Sequence, residues 1–315
     1  MTTATPPGDV VEVDRAPSSA RLLVGGLARA AQGLAGRSGQ GGSGGGPELP
    51  DVTLAMRGIE PDAERLTAYA ELVGETVGDT LPAGFLHTLA FGLGTAMMAR
   101  ADFPLPALGM VHVANHVELR RPVHLGEVID ARLHAERLAP HRRGATVDLV
   151  AELTVADDVV WRGVSTYLAK GVRLPDAAAP EEVERAPFEP PTPTGQWRLG
   201  RDVGPRYAAV SGDHNPIHTN PLAAKAFGFP RPIAHGMYTA ARALADVGAA
   251  RGDAYAWDVE FASPVLLPST VTVAVTPDDD AQPASVGPPG DGGFRFAAWS
   301  RSGKLHLVGT VRPLP

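Results

Sequence analysis

Two stretches far apart in the chain repeat one pattern of apolar and polar positions. Val117 to Leu133 reads VELRRPVHLGEVIDARL, and Val259 to Val275 reads VEFASPVLLPSTVTVAV. Aligned by Glu118 and Glu260, they share Val-Glu, a large apolar residue, Pro122 with Pro264, Val123 with Val265 and Leu125 with Leu267. Past each proline the apolar residues alternate or run together, as strands do. Each proline is expected at a strand start or a bulge, because it cannot donate to a ladder. Upstream of each stretch lies a segment rich in Gly and Ala: GFLHTLAFGLGTAMMAR from Gly84 to Arg100, and HGMYTAARALADVGAAR from His235 to Arg251. These are apolar nearly all round, which predicts buried helices that a sheet can approach closely. Downstream, GATVDLVAELTVADDVVWRGVSTYLAK and GGFRFAAWSRSGKLHLVGTVRPL each predict a further pair of strands, and Pro277 to Gly293 an irregular connection. Each copy therefore reads as one long buried helix followed by antiparallel strands. That is an α+β unit, and its duplication predicts two sheets joined as a pseudo-dimer.

Composition sets the boundaries. The Gly-rich run Gly36 to Pro47 and the Pro/Glu-rich run LPDAAAPEEVERAPFEPPTPTG predict linkers. They divide the chain into a flexible N-terminal arm (1–48), a first copy (49–173), a linker (174–195) and a second copy (196–315). Within the arm, Leu22, Leu23, Leu27 and Leu34 with Arg21 and Arg29 outline a short amphipathic helix. It reads either as a surface or membrane dock or, given its glycines, as a loosely packed arm. The chain has 315 residues, 44% of them hydrophobic, enough for two cores. Its formal charge of -7 argues against a nucleic-acid partner. The absence of cysteine removes disulfides, thiolate catalysis and thiolate metal sites. No apolar run approaches the ~20 residues that span a bilayer, so no stable membrane insertion is expected. The N-terminus does not resemble a secretory signal, and a cytoplasmic protein is the simple reading.

The candidate chemistry lies in YAAVSGDHNPIHTN, Tyr207 to Asn220. Pro216 pushes Asn215 out of helical angles, so the segment is extended or turn-like. Asn220 and Pro221 then read as the N-cap and first residue of a short helix stopped by Gly228. Across the proline turn, Asp213 and His218 can share one water, one group taking a proton and the other giving one. Asn215 can orient that water, whereas His214 is expected to point away. The same residues also read as local caps, with His218 filling space. A zinc set of Asp213, His214, His218 and His235 lacks the helix that would align the first two histidines. A nucleophilic Ser211 lacks the strand–turn–helix elbow. Gly236, at the start of the second buried helix, offers a free backbone N–H backed by the helix dipole, able to polarise a carbonyl. Together these parts suit addition of water across a double bond conjugated to a carbonyl, and the reverse dehydration.

The stretch YAAVSGDHNPIHTNPLAAKAFGFPRPIAHGM closely resembles the signature of MaoC-like, (R)-specific enoyl-thioester hydratases and 3-hydroxyacyl-thioester dehydratases (hydratase 2). The resemblance implies a hot-dog fold, a lyase acting on enoyl-CoA or acyl-carrier-protein thioesters in fatty-acid metabolism, and no metal or other cofactor. It assigns catalysis to Asp213 and His218 with Asn215 in support, and the oxyanion hole to Gly236. Tyr207, Gly212, His235 and Met237 are expected to bind substrate. The two-copy layout is similar to the double hot-dog members, in which the first copy has lost the motif and shapes the acyl pocket. Where the second copy has the motif, the first reads YAELVGETVGDTLP, keeping Tyr69 and Gly74 without the Asp-Asn-His set. His87 reads as a packed or capping histidine. The rival readings are a non-catalytic thioester-binding scaffold subunit and a hot-dog thioesterase. The double unit stands alone or pairs into a homodimer.

Overall fold

The computed structural model describes residues 8–13, 47–107, 109–175, 187–278 and 292–315. The arm's amphipathic segment lies outside these residues, as do the central parts of the linker and of the Pro277–Gly293 connection. Strand β1 (Asp9–Glu12) is followed by β2 (Val52–Ile59), helices α1 (Ala63–Val73) and α2 (Ala83–Ala99), and strands β3 (Val111–Leu119), β4 (Ile129–His141), β5 (Gly144–Val155) and β6 (Asp158–Lys170). The second half has β7 (Gly195–Leu199), helices α3 (Val203–Ser211), α4 (Pro216–Thr219), α5 (Pro221–Ala226) and α6 (Gly236–Val247), then β8 (Tyr255–Phe261), β9 (Ser269–Pro277), β10 (Phe294–Ser300) and β11 (Leu305–Pro313).

All strands among the described residues belong to one eleven-stranded sheet, ordered β1-β2-β4-β5-β6-β3-β8-β11-β10-β9-β7. Read inward from either side, β2-β4-β5-β6-β3 and β7-β9-β10-β11-β8 are the same arrangement. The halves join where β3 pairs antiparallel with β8, from Ala114↔Glu260 to Leu119↔Tyr255. Each half wraps its long helix, α2 or α6, so the fold is a double hot-dog. β1 extends the outer edge by parallel pairing with β2.

Three details differ from the expectation. Each copy opens with a strand (β2, β7) ahead of its helices, not with the helix. A second helix, α1 or α3, precedes each long one: Asp62 caps α1, and Gly74 and Gly212 close α1 and α3 in the left-handed region at φ 82° and 77°. Pro122 and Pro264 sit in the β3–β4 and β8–β9 connections, neither at a strand start nor at a bulge. The reason is the same in both copies. The residue after each proline, Val123 or Val265, is buried and accepts a hydrogen bond from the segment leading into the long helix (Leu81 N to Val123 O, 2.7 Å; Ala234 N to Val265 O, 2.8 Å). The proline fixes the loop that holds the helix entrance.

The core is continuous across both copies. Tyr69, Phe85, Trp161, Tyr238 and Trp257 are all nearly inaccessible within one cluster. Such aromatic burial dominates the stability of a core. Gly84 lets α2 reach α6: a Cβ there would collide with Tyr69 Oη and come within 3.2 Å of Ala241 Cβ. Arg251 and Glu75, both largely buried, pair at 2.8 Å and tie the second copy to the first.

Candidate active site

Between the two copies lies a cavity of about 360 Å³. The motif loop, the start of α6 and β8 contribute from the second copy, and α2, β3 and β6 from the first. Local sequence explains how the motif is held. Gly212 ends α3 and turns the chain sharply. The Asp213 backbone N–H then donates to Ser211 Oγ, while Asp213 Oδ1 accepts from the Asn215 backbone N–H, both at 3.1 Å. Pro216 opens the one-turn helix α4, with Asn215 as N-cap accepting from Ile217 N–H at 3.3 Å. That turn carries His218 inward. Gly204 on α3 allows the approach, because a Cβ there would strike the His218 carbonyl oxygen. From the first copy, Arg65 on α1 donates to Val210 O and to Thr88 Oγ1, both at 2.7 Å, pinning the end of α3 just before the motif.

One oxygen of Asp213 is thereby committed to the backbone, and the other, Oδ2, faces His218 Nε2 at 4.0 Å. His218 Nδ1 lies 2.8 Å from the carbonyl oxygen of Ile233, which can only accept, so Nδ1 carries the proton and the neutral ring leaves Nε2 bare. Burial pushes the His218 pKa down, against the opposing pull of Asp213, and so favours this neutral form. Two acceptors 4.0 Å apart are too far for direct bonding. They suit a water about 2.8 Å from each, donating both its hydrogens and turning its oxygen lone pairs outward.

His235 lies beneath this pair. Its ring stacks on His218 with centroids 3.7 Å apart, and its Nε2 donates to the Asp213 carbonyl at 3.0 Å. Burial, with His218 beside it, drives its pKa well below the ordinary value. It therefore stays neutral and braces the loop, and its 3.8 Å approach to Asp213 Oδ2 is not an ion pair. Asp213, His218 and His235 do bring potential ligand atoms within 4.8 Å of one another. However, the His235 nitrogen that faces Asp213 is a donor, and the lone pair of this neutral ring lies on Nδ1 instead. His214 is exposed and does not line the cavity.

Gly236 is the first residue of α6. Its N–H has no intrahelical partner, and the His235 side chain makes no capping bond. The ring of Phe261 would lie 3.2 Å from a Cβ at this position, so glycine leaves room beside the amide. Gly236, Met237 and Tyr207 all line the cavity. Tyr207 is buried, its ring 4.9 Å from that of His235 and 5.7 Å from that of Tyr238. Burial raises its phenol pKa. Gly212, expected to touch substrate, is instead exposed and outside the cavity wall; its service is conformational, through its positive φ. Sequence reading expected the first copy to shape the acyl pocket but did not find the residues that line it: His87, Phe91 and Met98 on α2, His112 on β3 and Tyr167 on β6. His87 lines the cavity as well as packing near Trp161. No motif marks these residues; only the strand and helix pairing brings them to the site.

Duplicated helix-in-sheet units that enclose one cavity between them make this a double hot-dog protein, and the comparisons with known proteins place it among the hydro-lyases. A model described as MaoC like domain matches residues 186–283. The chain is 38% identical over 268 residues to 3-hydroxyacyl-thioester dehydratase X of Mycobacterium tuberculosis, covering 85% of this chain and 91% of that protein. It is 30% identical over 190 residues to 3-hydroxyacyl-thioester dehydratase Y of the same organism, covering 58% of this chain and 60% of that one. The crystal structure of HtdX from M. tuberculosis superposes with a TM-score of 0.70 at 37% identity, covering 83% of this chain and 100% of that one. The chain belongs to the MaoC-like dehydratase family.

Proposed function

We propose that this protein catalyses the reversible hydration of trans-2-enoyl thioesters to (R)-3-hydroxyacyl thioesters, carried on CoA or acyl-carrier protein. The thioester carbonyl oxygen sits against the Gly236 N–H, where the helix end stabilises the charge that develops as the alkene is attacked. The water held between Asp213 Oδ2 and His218 Nε2 adds its oxygen to C3. One of its protons passes to the pair, and the pair returns a proton to C2, so that H and OH are added with nothing left over. Dehydration runs the same steps backwards. Asn215 and His235 act through the loop: the first caps α4 and supports Asp213 Oδ1, and the second holds the Asp213 carbonyl.

The observation that carries this reading is the 4.0 Å gap between Asp213 Oδ2 and His218 Nε2, both in the wall of the cavity that Gly236 also lines. A scaffold subunit needs no such pair. The β3–β8 junction brings both copies to the site from one chain. Asp213→Asn and His218→Ala are expected to lower kcat for crotonyl-CoA hydration by at least about 10²-fold each while the thermal unfolding transition persists. Near wild-type rates in either folded variant contradict the assignment.

A further inference from the structure

Three polar rings of the first copy line the cavity without a part in this reaction: His87, His112 and Tyr167. They form a nearly parallel stack. The His112 and Tyr167 centroids are 4.7 Å apart at 16°, and those of His87 and His112 are 6.3 Å apart at 13°. The middle ring carries a buried nitrogen, His112 Nε2, that has no hydrogen-bond partner among the described residues. Beside it, neither the His87 imidazole nor the Tyr167 hydroxyl forms a hydrogen bond with a described residue, and both face the cavity. His87 is only 8% exposed. Buried polar groups are almost always paired, and leaving one unpaired is costly. Aliphatic side chains of similar size would fill this wall at lower cost.

The stack stands at the reacting end of the pocket. Asp213 is close enough for its charge to act on both His87 and Tyr167. The His112 ring is 5.2 Å from that of Phe261, which covers Gly236. Farther along α2 the wall becomes Phe91 and Met98. A chain whose C1 lies at Gly236 and whose C3 lies at Asp213 and His218 therefore passes the polar rings before it reaches the apolar ones.

We propose that the acyl pocket is built for chains bearing a hydroxyl group within a few carbons of C3, received by His87 and Tyr167. This rests on the hydratase reading above and narrows its substrate class. A hydroxyl donates and accepts, which suits an imidazole and a phenol together. An unsubstituted alkyl chain would strip water from both groups and give nothing back, and sites of that kind discriminate strongly against analogues lacking the polar group.

The test compares trans-2-octenoyl-CoA with its 4-, 5- and 6-hydroxy analogues, following loss of the enoyl absorbance with the full chain. At least one hydroxylated substrate is expected to show a kcat/KM about tenfold or more above the alkyl one, the size of one net hydrogen bond. In His87→Phe and Tyr167→Phe that ratio should fall to about one; because a ratio is read, a general loss of rate cancels. No preference in the wild type overturns the proposal, as does a preference that both variants retain. Failure to hydrate any of the four substrates overturns the reaction assignment itself, which separates the two claims.

Discussion

The chemistry proposed for this chain turns on a few atoms whose neighbours fix their protonation. His218 is the clearest case, since a carbonyl at Nδ1 and burial together keep Nε2 bare. Its pKa is lowered, so the base form is present at neutral pH and is lost only as pH falls through that lowered value. The acid limb of the kcat profile for hydration is therefore expected below about 6.5, the ordinary imidazole pKa. An acid limb centred above that value contradicts the description of His218. The oxyanion role of Gly236 has an equally local test. Proline is tolerated at the first position of a helix, and the preceding residue, His235, already has the extended angles that proline demands (φ -62°, ψ 137°). Gly236→Pro thus deletes the N–H with little demand on the backbone, the Phe261 ring shifting by a few tenths of an ångström to admit the added Cβ. It is expected to cost about 10²–10³ in kcat with the fold retained, and a kcat within a few-fold of wild type removes the amide from the mechanism.

At the scale of elements, the close contact of α2 and α6 sets the spacing of the two copies around the cavity. Gly84→Ala is expected to destabilise the chain by about 1–3 kcal/mol through the clash with Tyr69 and Ala241, measured as a lower midpoint in thermal or denaturant unfolding. An unchanged midpoint means that the helices have room to separate. The same scale shows what was legible in the sequence. The long helices and the later strands announce themselves by composition and alternation, and the internal repeat is visible in the Val-Glu…Pro-Val…Leu match. The prolines misled because a strand-like apolar run continues beyond them; Val123 and Val265 are apolar to anchor a helix entrance, not to extend a ladder. The short strand β7 follows a proline-rich linker and alternates over only four residues, Gln196 to Leu199, and Asp62 and Gly74, which bound α1, are ordinary loop residues until the helix between them is seen.

For the whole molecule, duplication explains why half of the site could be read and half could not. The second copy concentrates its chemistry within a short span, so Asp213, Asn215, His218 and Gly236 are visible as a motif. The first copy contributes through a sheet and a helix that meet the motif only after folding, so His87, His112 and Tyr167 carry no local signature. Its α1 segment also reaches across: Arg65 on the helix holds Val210, and Glu75 just beyond its end meets Arg251. The copy that lacks the motif is thus a working wall and brace for the copy that keeps it. Among the described residues no helix is long and apolar enough to cross a membrane. The most direct measurement is incubation of the purified chain with crotonyl-CoA, followed by chiral analysis of the product. Accumulation of (R)-3-hydroxybutyryl-CoA is the predicted result, and the (S) product, release of free CoA thiol or unreacted substrate contradicts the account.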